Sequence, residues 1–391
     1  MNLSHRSFKQ LWNLGIILFL PAFQLFVSCN TTDNKYLVFV GTYTDKGSEG
    51  IYSFKFDPKT GDISSPELAV KTDNPSFIAI DAKGQFLYAV NELDTFNSQP
   101  TGAVSVFKID RESGKLKLIQ QVSSLGGAPA HLSLDKSGKF LLVANYNGGN
   151  FSVFPINNDG KLGKHSAFVQ NAGSSVNPER QTAPHAHFIQ VTDDNRFVMV
   201  ADLGIDKILV FKFDDANGSL KPENPESISL NPGSGPRHFT FTPTGNFFYV
   251  LNELTSTVTV FDYDPTTASM QSKQNISTLP QNFSGTNTAA EMLVDSKGKF
   301  LYASNRGDNS IVQFSIDPVT GILYPIAWVS SGGKTPRNFE IDPSGKWMFS
   351  ANQNSDNITL FKIDKENGRL VTTNQTININ SPVCIKCLAM N

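Results

Sequence analysis

An alternation of apolar and polar residues, interrupted by short polar turns, recurs along most of the chain. The segment PRHFTFTPTGNFFYVLNE, which begins at Pro236, has two apolar runs joined by a turn that contains glycine. Alternation of this kind is typical of half-buried β-strands, and Asp, Asn and Gly favour hairpin turns. Segments of the same form begin at Pro75, Pro129, Pro184, Thr288 and Pro336. The pattern therefore predicts one hairpin, repeated six times.

Each predicted hairpin continues into a third strand, a turn and a further short strand. The resulting unit has four strands and a period of roughly 50 residues, which is the range of propeller blades. A seventh unit is split between the ends of the chain: KYLVFVGTYTDKGSEGIYSFKF lacks a first strand, and SPVCIKCLAM resembles one. Pairing the two would hide two open strand edges. We therefore predict an all-β fold over residues 36–391, a seven-bladed β-propeller of four antiparallel strands per blade, closed when the C-terminal strand joins the N-terminal blade.

The first residues have the form of an export signal. Arg6 and Lys9 precede an apolar run over residues 11–27, and Ser28 and Cys29 follow it. This order predicts a signal peptide of the lipoprotein type over residues 1–28, lipidation of Cys29 and a tether over residues 29–35. An ordinary secretory signal and an uncleaved anchor are the alternatives. The prediction is an exported cell-envelope lipoprotein, periplasmic or on the surface, held to the membrane only by its lipid.

Composition narrows the class of partner. The formal net charge of the 391 residues is −2 and the basic residues are scattered, so we expect no nucleic-acid partner. Cys384 and Cys387 form a lone CxxC, which is weak evidence for a metal or redox site, and we interpret both as core residues. The histidine spacing matches no standard metal site. The sequence therefore predicts no metal and no cofactor.

The two ends of each hairpin carry the polar groups. A hairpin places the start of its first strand beside the end of its second, so Arg237 and Glu253 should lie at one edge, and all seven blades should bring such positions to one rim of the ring. The candidate ligand-binding residues at this rim are His131, His238, Glu92, Tyr146, Asn145, Arg337, Asn338 and Gln353. The candidate catalytic residues are Glu253, His185, His187, Arg237 and Arg306.

Two positions at the end of the second strand behave differently. The first is Asn in almost every unit, and a structural role at the strand end explains it. The next residue varies in charge from unit to unit, which suits an asymmetric ligand. The unit at Pro184 is longer by two residues, so either His185 or His187 can match Arg237. A β-bulge would reconcile the two alignments, and both histidines stay candidates.

Several of these segments together resemble one known family. LVANYNGGNFSVFPI, PHAH, GSGPRHF, LNEL and SPVCIK are similar to the lactonase family of seven-bladed propellers, which contains bacterial 6-phosphogluconolactonases and fungal carboxy-cis,cis-muconate cyclases. In the cyclase branch, the resemblance implies a site of the PHAH histidine (His185, with His187 near), Arg237, Glu253 and Arg306. It implies an enzyme that acts on a lactone, without fixing the reaction.

The resulting hypothesis is hydrolysis of a sugar-type lactone, as a carboxylic-ester hydrolase resembling 6-phosphogluconolactonase. The ligand would be a small lactone or acidic sugar. Glu253 or a rim histidine would activate water, Arg237 and Arg306 would bind an acidic group and the oxyanion, and His185 or His187 would protonate the leaving oxygen. A non-catalytic tethered propeller that binds a glycan or protein, and a muconate-type cyclase, are the alternatives. Export argues against 6-phosphogluconolactone itself, since that lactone arises in the cytoplasm.

Overall fold

The computed structural model describes residues 35–390, which form seven four-stranded antiparallel sheets. The predicted signal peptide, Cys29 and nearly all of the tether lie outside the described residues. Two single-turn 3-10 helices, Leu203–Ile205 and Gln353–Ser355, are the only helical elements between residues 35 and 390. Within that range, no helix is long and apolar enough to cross a membrane.

We number the blades in the order of their first strands. Blade 1 consists of Ile78–Ile80, Phe86–Asn91, Ala103–Ile109 and Leu116–Ser123. Blade 2 consists of Pro129–Leu134, Phe140–Asn145, Asn150–Pro155 and Ala167–Gln170. Blade 3 consists of Ala186–Val191, Phe197–Asp202, Lys207–Asp214 and Ser219–Ser229. Blade 4 consists of Pro236–Phe241, Phe247–Asn252, Thr257–Asp264 and Ser269–Ser277.

The remaining blades complete the ring. Blade 5 consists of Ala289–Val294, Phe300–Asn305, Ser310–Ile316 and Leu323–Ser330. Blade 6 consists of Pro336–Ile341, Trp347–Asn352, Asn357–Ile363 and Leu370–Asn378. Blade 7 takes its first strand, Pro382–Ala389, from the C-terminus, and its other strands are Tyr36–Thr42, Gly50–Phe56 and Glu67–Lys71.

The predicted closure by the C-terminal strand is confirmed. Val40 of the N-terminal strand pairs with Ile385, and Tyr36 pairs with Ala389. Because the second strand of blade 7 is thus bonded on both edges, no edge is left open where the chain begins and ends. Cys384 is fully buried and packs toward blade 1, whereas Cys387 is half-buried and packs toward blade 6, and both are free thiols.

The hydrophobic core is distributed between the blades. Seven clusters of buried apolar residues each join two neighbouring blades, so seven blades share seven interfaces. Between blades 6 and 7, for example, the ring of Phe54 lies 5.8 Å from that of Phe349, and Trp347 donates a 2.9 Å hydrogen bond to the carbonyl of Pro58. A ring with one apolar interface per blade has no free sheet face, which is why the array closes.

A repeated contact fixes the angle between blades. The hydroxyl of Tyr249 on a second strand donates a hydrogen bond of 2.9 Å to the carbonyl of Gly321 in the next blade. Tyr302 makes the same contact with Gly368. Gly321 has φ +70°, and a Cβ there would lie 2.5 Å from the ring of Phe247, so only glycine fits.

Candidate active site at the channel mouth

The end of each second strand and the start of each first strand meet at one end of the central channel, which we call the mouth. In each blade, one residue directly follows the buried residue that ends the second strand. These seven residues differ in chemical type from blade to blade. They are Tyr43, Glu92, Tyr146, Leu203, Glu253, Arg306 and Gln353. The predicted convergence of these positions is visible in the contacts between them.

Glu253 lies at the centre of a cluster of three arginines. Its Oε2 is 3.0 Å from Nε of Arg237 and 2.9 Å from Nη2 of Arg306, and its Oε1 accepts a 2.8 Å bond from Nη2 of Arg180. Nε of Arg237 is not aligned for a hydrogen bond with this oxygen, so that contact is an ion pair only. The side chains of Glu253 and Arg237 are 4 % and 3 % exposed. Removing Glu253 from this cluster would leave buried guanidinium groups without a counter-charge, which is strongly destabilising.

The cluster shifts the titration of its members. Burial raises the pKa of Glu253, but Arg306, Arg237 and Arg180 outweigh it and lower this pKa to about 2. Burial, with Arg306 and Arg337 nearby, lowers the pKa of Arg237 to about 9. At neutral pH the carboxylate is therefore charged and weakly basic. The predicted role of Glu253 as general base stays a prediction, and these contacts favour a role in positioning the arginines.

A second ring of side chains closes the channel beneath the mouth. The ring of His131 lies 4.3 Å from that of Phe77 and 3.9 Å from that of Phe188, and His238 lies 4.7 Å from Phe188. These residues lie on, or directly before, the first strands of blades 1 to 4, and the ring of Phe77 lies 6.4 Å from that of His238. A cavity of about 420 Å³ lies beyond them, away from the mouth. The second ring therefore lies between the mouth and this cavity.

Glu291 and His238 support Arg237 from below. Nδ1 of His238 is 2.8 Å from Oε1 of Glu291, and Nε2 is 3.0 Å from Nη1 of Arg237. Because a guanidinium can only donate, Nε2 must accept, so the proton is on Nδ1 and is donated to Glu291. Burial lowers the pKa of His238, which keeps the ring neutral in this tautomer. Nη1 of Arg237 also donates to the carbonyl of Ala290.

The two histidines of the PHAH segment occupy different places. Ala186 pairs with Asp202 and Phe188 with Ala201, so His187 is the bulged residue, and the bulge between Pro236 and His238 puts Arg237 at the same position. His187 therefore corresponds to Arg237, as the alignment on the turn predicted, and the alignment on the proline that matched His185 to Arg237 is wrong. The expected bulge is present, but it recurs at the start of other blades, including blades 2, 5 and 6.

His187 is buried and has a ring nitrogen without a hydrogen-bond partner. Its Nδ1 has no hydrogen-bond partner, and the same holds for Oγ of Ser76. Both residues line one small pocket of about 10 Å³, together with Arg237, Arg337 and Asn338. Burial, followed by Arg237 and His238, holds the pKa of His187 well below its usual value. The volume is about what one water molecule requires, and two polar atoms are the minimum that would bind it.

His185 lies at the entrance, where it is half-buried. Its ring stacks on Tyr146 at 4.4 Å, and its Nδ1 is 2.9 Å from the Tyr146 carbonyl. A carbonyl only accepts, so Nδ1 of His185 carries a proton and donates it to this carbonyl. Tyr146 also contacts His187 edge-on at 5.5 Å. Both histidines are therefore positioned by one tyrosine.

Comparisons with known proteins agree with this architecture. Residues 37–387 match the family model "Lactonase, 7-bladed beta-propeller". The chain belongs to the lactonase family of seven-bladed β-propellers. It is 36 % identical to a 6-phosphogluconolactonase of Bacillus subtilis over 354 residues, which cover 90 % of this chain and 99 % of the relative. A 6-phosphogluconolactonase of Formosa agariphila is 37 % identical over 77 % of this chain and 84 % of its own.

A solved structure gives the same result. The periplasmic gluconolactonase of Pseudomonas aeruginosa is 33 % identical, with a TM-score of 0.86 over 91 % of this chain and 100 % of its own. The family predicted from the sequence motifs is thus confirmed, and the expected class of enzyme, a hydrolase of cyclic esters, agrees with the names of these relatives.

Glu92, Arg337, Asn338 and Gln353 also lie at the mouth or directly below it. The hydroxyl of Tyr43 donates a 2.9 Å bond to Glu92, and the guanidinium of Arg337 lies 5.1 Å from the centre of the Tyr43 ring. Asn338 donates to Glu291 and belongs to the second ring, and Gln353 lies half-buried at the rim. These residues line the same opening from blades 1, 6 and 7.

Asn145 is placed differently from the other candidates. It is fully buried, and its amide donates to the carbonyl of Ser124 at 3.0 Å and to Oδ1 of Asn150 at 2.7 Å. These contacts are with blade 2 and with the connection that precedes it, and they favour the structural interpretation of the recurring Asn. No cluster of three or more potential metal ligands lies among residues 35–390.

Three residues of the mouth escaped the sequence analysis. Glu291 has the same spacing to its turn glycine as His238 has to Gly245, so an alignment on the turns would have found it. Tyr43 follows the second strand of the split blade, which ends in Thr42 in place of the recurring Asn. Arg180 lies in a connection without any repeat, and no pattern in the sequence marks it.

Proposed function

We propose that the protein hydrolyses a sugar-type lactone at the channel mouth, in the manner of a 6-phosphogluconolactonase. The names of the relatives in Bacillus subtilis and Pseudomonas aeruginosa support this reaction class. The mouth supports it independently, since it combines uncharged histidines with guanidinium groups in a buried setting. Such groups serve general acid–base catalysis and the stabilisation of an oxyanion.

The observation that carries the proposal is the pocket between His187 and Ser76. Ser76 and His187, each with a buried polar atom that has no hydrogen-bond partner, line a space suited to one water molecule, with Arg237 and Arg337 at its wall. We infer that this pocket holds the attacking water. Nδ1 of His187 accepts a proton from that water, which makes the histidine, rather than Glu253, the general base.

The reaction then proceeds without a covalent intermediate. The water oxygen bonds to the lactone carbonyl carbon as its proton passes to His187, and the electron pair of the C=O bond moves to the carbonyl oxygen. Arg237 and Arg337 stabilise that oxyanion. When the tetrahedral intermediate collapses, the ring C–O bond breaks, and the imidazolium of His187 donates its proton to the leaving oxygen. The product is an open-chain hydroxy acid, which releases a proton at neutral pH.

The low pKa of His187 fits this sequence of steps. The free site is rich in guanidinium groups, which disfavour the imidazolium and keep the base uncharged. A substrate anion or the oxyanion neutralises part of that field, and the pKa of His187 then rises toward the operating pH. Glu253 takes no proton in this scheme. It holds Arg237 and Arg306 in place through its ion pairs.

The test compares lactone hydrolysis by the wild-type protein with that of His187→Gln. His165→Gln is the matched control, since His165 lies outside the mouth, next to Phe154. With D-glucono-lactone and its 6-phosphate in a pH-stat, corrected for spontaneous hydrolysis, we expect His187→Gln to lower kcat by about 10²–10⁴-fold. The control should retain the wild-type rate. Equal kcat for wild type and His187→Gln would refute the assignment.

The same assay separates the alternatives. A wild-type protein that hydrolyses no lactone, yet is folded and retains ligands at the mouth, would favour the non-catalytic propeller. Lactone formation from a muconate-type acid, in the absence of lactone hydrolysis, would favour a cyclase.

We propose that the protein acts outside the cytoplasm. The N-terminal sequence supports export, and a relative of high structural similarity is described as periplasmic. An exported enzyme would meet lactones formed by extracytoplasmic oxidation of sugars. Labelling of cells with a palmitate analogue should mark the wild-type protein and not Cys29→Ser. Equal labelling of both would refute lipidation at this residue.

A further inference from the structure

The connection between blades 2 and 3, residues 171–185, differs from its counterparts. The corresponding connections before blades 4 and 6 span only residues 230–235 and 331–335. The longer connection has room for a turn of its own over residues 175–181, and it extends along the rim of the mouth. It is the source of Arg180.

Hydrogen bonds give this turn a defined conformation. Oδ1 of Asn177 accepts bonds from the backbone N–H of Glu179 and Arg180, each at 3.0 Å, and the N–H of Gln181 donates to the Asn177 carbonyl at 2.9 Å. Nε2 of Gln181 then donates to the carbonyl of Leu203 at 2.8 Å, which fixes the turn to blade 3. The base of the Arg180 side chain is therefore held rather than free.

The guanidinium of Arg180 extends from this turn into the mouth. Its Nη2 donates to the hydroxyl of Tyr146 at 3.0 Å and to Oε1 of Glu253 at 2.8 Å. It thereby links blade 2 to blade 4. The Arg180 side chain is 38 % exposed, compared with 14 % for Arg306 and 3 % for Arg237. Of the three cations around Glu253, Arg180 is the one that solvent and an entering ligand reach most easily.

The charges of the mouth favour an anionic ligand. Four guanidinium groups, those of Arg180, Arg237, Arg306 and Arg337, are accompanied by three carboxylates, Glu92, Glu253 and Glu291. Burial lowers the pKa of His187 and of His238 and keeps both uncharged, so these arginines and carboxylates leave one positive charge over. Since Arg237 and Arg306 share Oε2 of Glu253 whereas Arg180 uses Oε1, the contact of Arg180 can be exchanged without disturbing the buried pair.

We propose that Arg180 determines specificity by binding the anionic substituent of the substrate, a phosphate or carboxylate remote from the reacting carbonyl. This inference rests on the proposed function. An anion that enters the mouth accepts two hydrogen bonds from the guanidinium, in the fork geometry that arginine offers to phosphates and carboxylates. Arg180 is a specificity residue in this scheme and takes no part in proton transfer.

The experiment measures KM and kcat of Arg180→Ala with D-glucono-lactone 6-phosphate and with uncharged D-glucono-lactone. A charge-assisted bond contributes enough that KM for the phosphorylated lactone should rise about 10–100-fold, with kcat changed less than about threefold. Both constants for the uncharged lactone should stay within about twofold of wild type. For the phosphorylated lactone, the KM of Arg180→Lys should lie between those of wild type and Arg180→Ala. Lysine keeps the positive charge but lacks the forked guanidinium that donates two hydrogen bonds.

Arg196→Ala is the matched control. Arg196 is of similar exposure and is paired with Asp194 at 2.6 Å, at the start of a second strand and so at the opposite end of the blade. Its removal should leave all four constants unchanged. Identical kinetics of Arg180→Ala and wild type with the phosphorylated lactone would overturn the inference and leave the proposed function intact.

A binding measurement keeps the two conclusions separate. If the wild-type protein hydrolyses neither lactone, the proposed function fails, and calorimetric titration with 6-phosphogluconate then tests Arg180 alone. Weakening of binding by about tenfold or more in Arg180→Ala would support the inference. Equal affinity of the two proteins, or no binding to either, would overturn it.

Discussion

Two adjacent positions at the end of the second strands, one residue apart, have opposite properties. The first is Asn in five of the blades and Asp202 in blade 3, and the Asn and Asp side chains are fully buried. Asn91, Asn145, Asn305 and Asn352 each donate to a backbone carbonyl in the connection that precedes their own blade. The second position varies, and it supplies Glu92, Tyr146, Glu253 and Arg306 to the mouth.

The comparison shows how a repeat fold carries an asymmetric site. Each blade must satisfy the same buried backbone groups where its second strand ends, so the same amide recurs. The next side chain points into the mouth, where no two blades face the same part of a ligand. In this repeat fold, a residue type that recurs from blade to blade therefore indicates a structural requirement, and a position that varies indicates the site.

The largest expected effect on stability comes from removing the charge of Glu253, which occupies the varied position in blade 4. Glu253→Ala leaves the guanidiniums of Arg237 and Arg306 without a buried counter-charge, and we expect a loss of about 3–5 kcal/mol in the free energy of unfolding. Urea denaturation measures it, with exposed Glu226→Ala as a control that should change stability by less than about 0.5 kcal/mol. A similar stability for both variants would show that the charge cluster is not coupled as described.

The same residue makes stability depend on pH. The pKa of Glu253 is about 2 in the folded protein and 4.5 as its ordinary value, so its stabilisation is fully present above pH 4.5 and is lost as the pH falls through 2. The difference corresponds to about 3 kcal/mol. Wild type should therefore lose about that much more stability than Glu253→Gln between pH 5 and pH 2. Parallel stability curves for the two proteins would contradict the low pKa.

A smaller effect on stability is expected at the position of the recurring Asn. Asn305→Ala removes the 2.8 Å bond to the Thr278 carbonyl and the 2.7 Å bond from the Thr278 hydroxyl, both buried. We expect a loss of about 1–3 kcal/mol in the free energy of unfolding. The exposed Asn354→Ala serves as control. An unchanged stability of Asn305→Ala would remove the structural explanation of the recurring amide.

The smallest effect on stability is expected in blade 7, the blade that is split between the two ends of the chain. Tyr43→Phe removes the half-buried hydroxyl, which bonds Glu92 and interacts with Arg337, at a cost of about 0.5–1.5 kcal/mol. The ring remains beneath Arg337, so thermal unfolding should show a small shift. A shift as large as that of Asn305→Ala would mean that blade closure depends on this hydroxyl.

The sequence predicted the fold more completely than the site, for physical reasons. Strand alternation and turn glycines are local signals, and seven copies reinforce one another, so the blades and the closing strand were predicted. His187 and Glu291 are also at repeat positions. The bulge obscures the alignment of His187 with the other blades, and the absence of a proline at the start of its unit obscures that of Glu291. Arg180 could not be predicted, because it reaches Glu253 through a connection that occurs once and has no counterpart in the other blades. The protonation of His238 likewise follows only from its contacts in three dimensions.

The most direct test of the account uses the neighbours Asn305 and Arg306, which differ by one position and by function. Calorimetric binding of 6-phosphogluconate should weaken by about tenfold or more in Arg306→Ala and remain within about twofold of wild type in folded Asn305→Ala. Equal affinities of the Arg306→Ala and wild-type proteins, or a loss of binding confined to Asn305→Ala, would contradict the division between structural and ligand-binding positions.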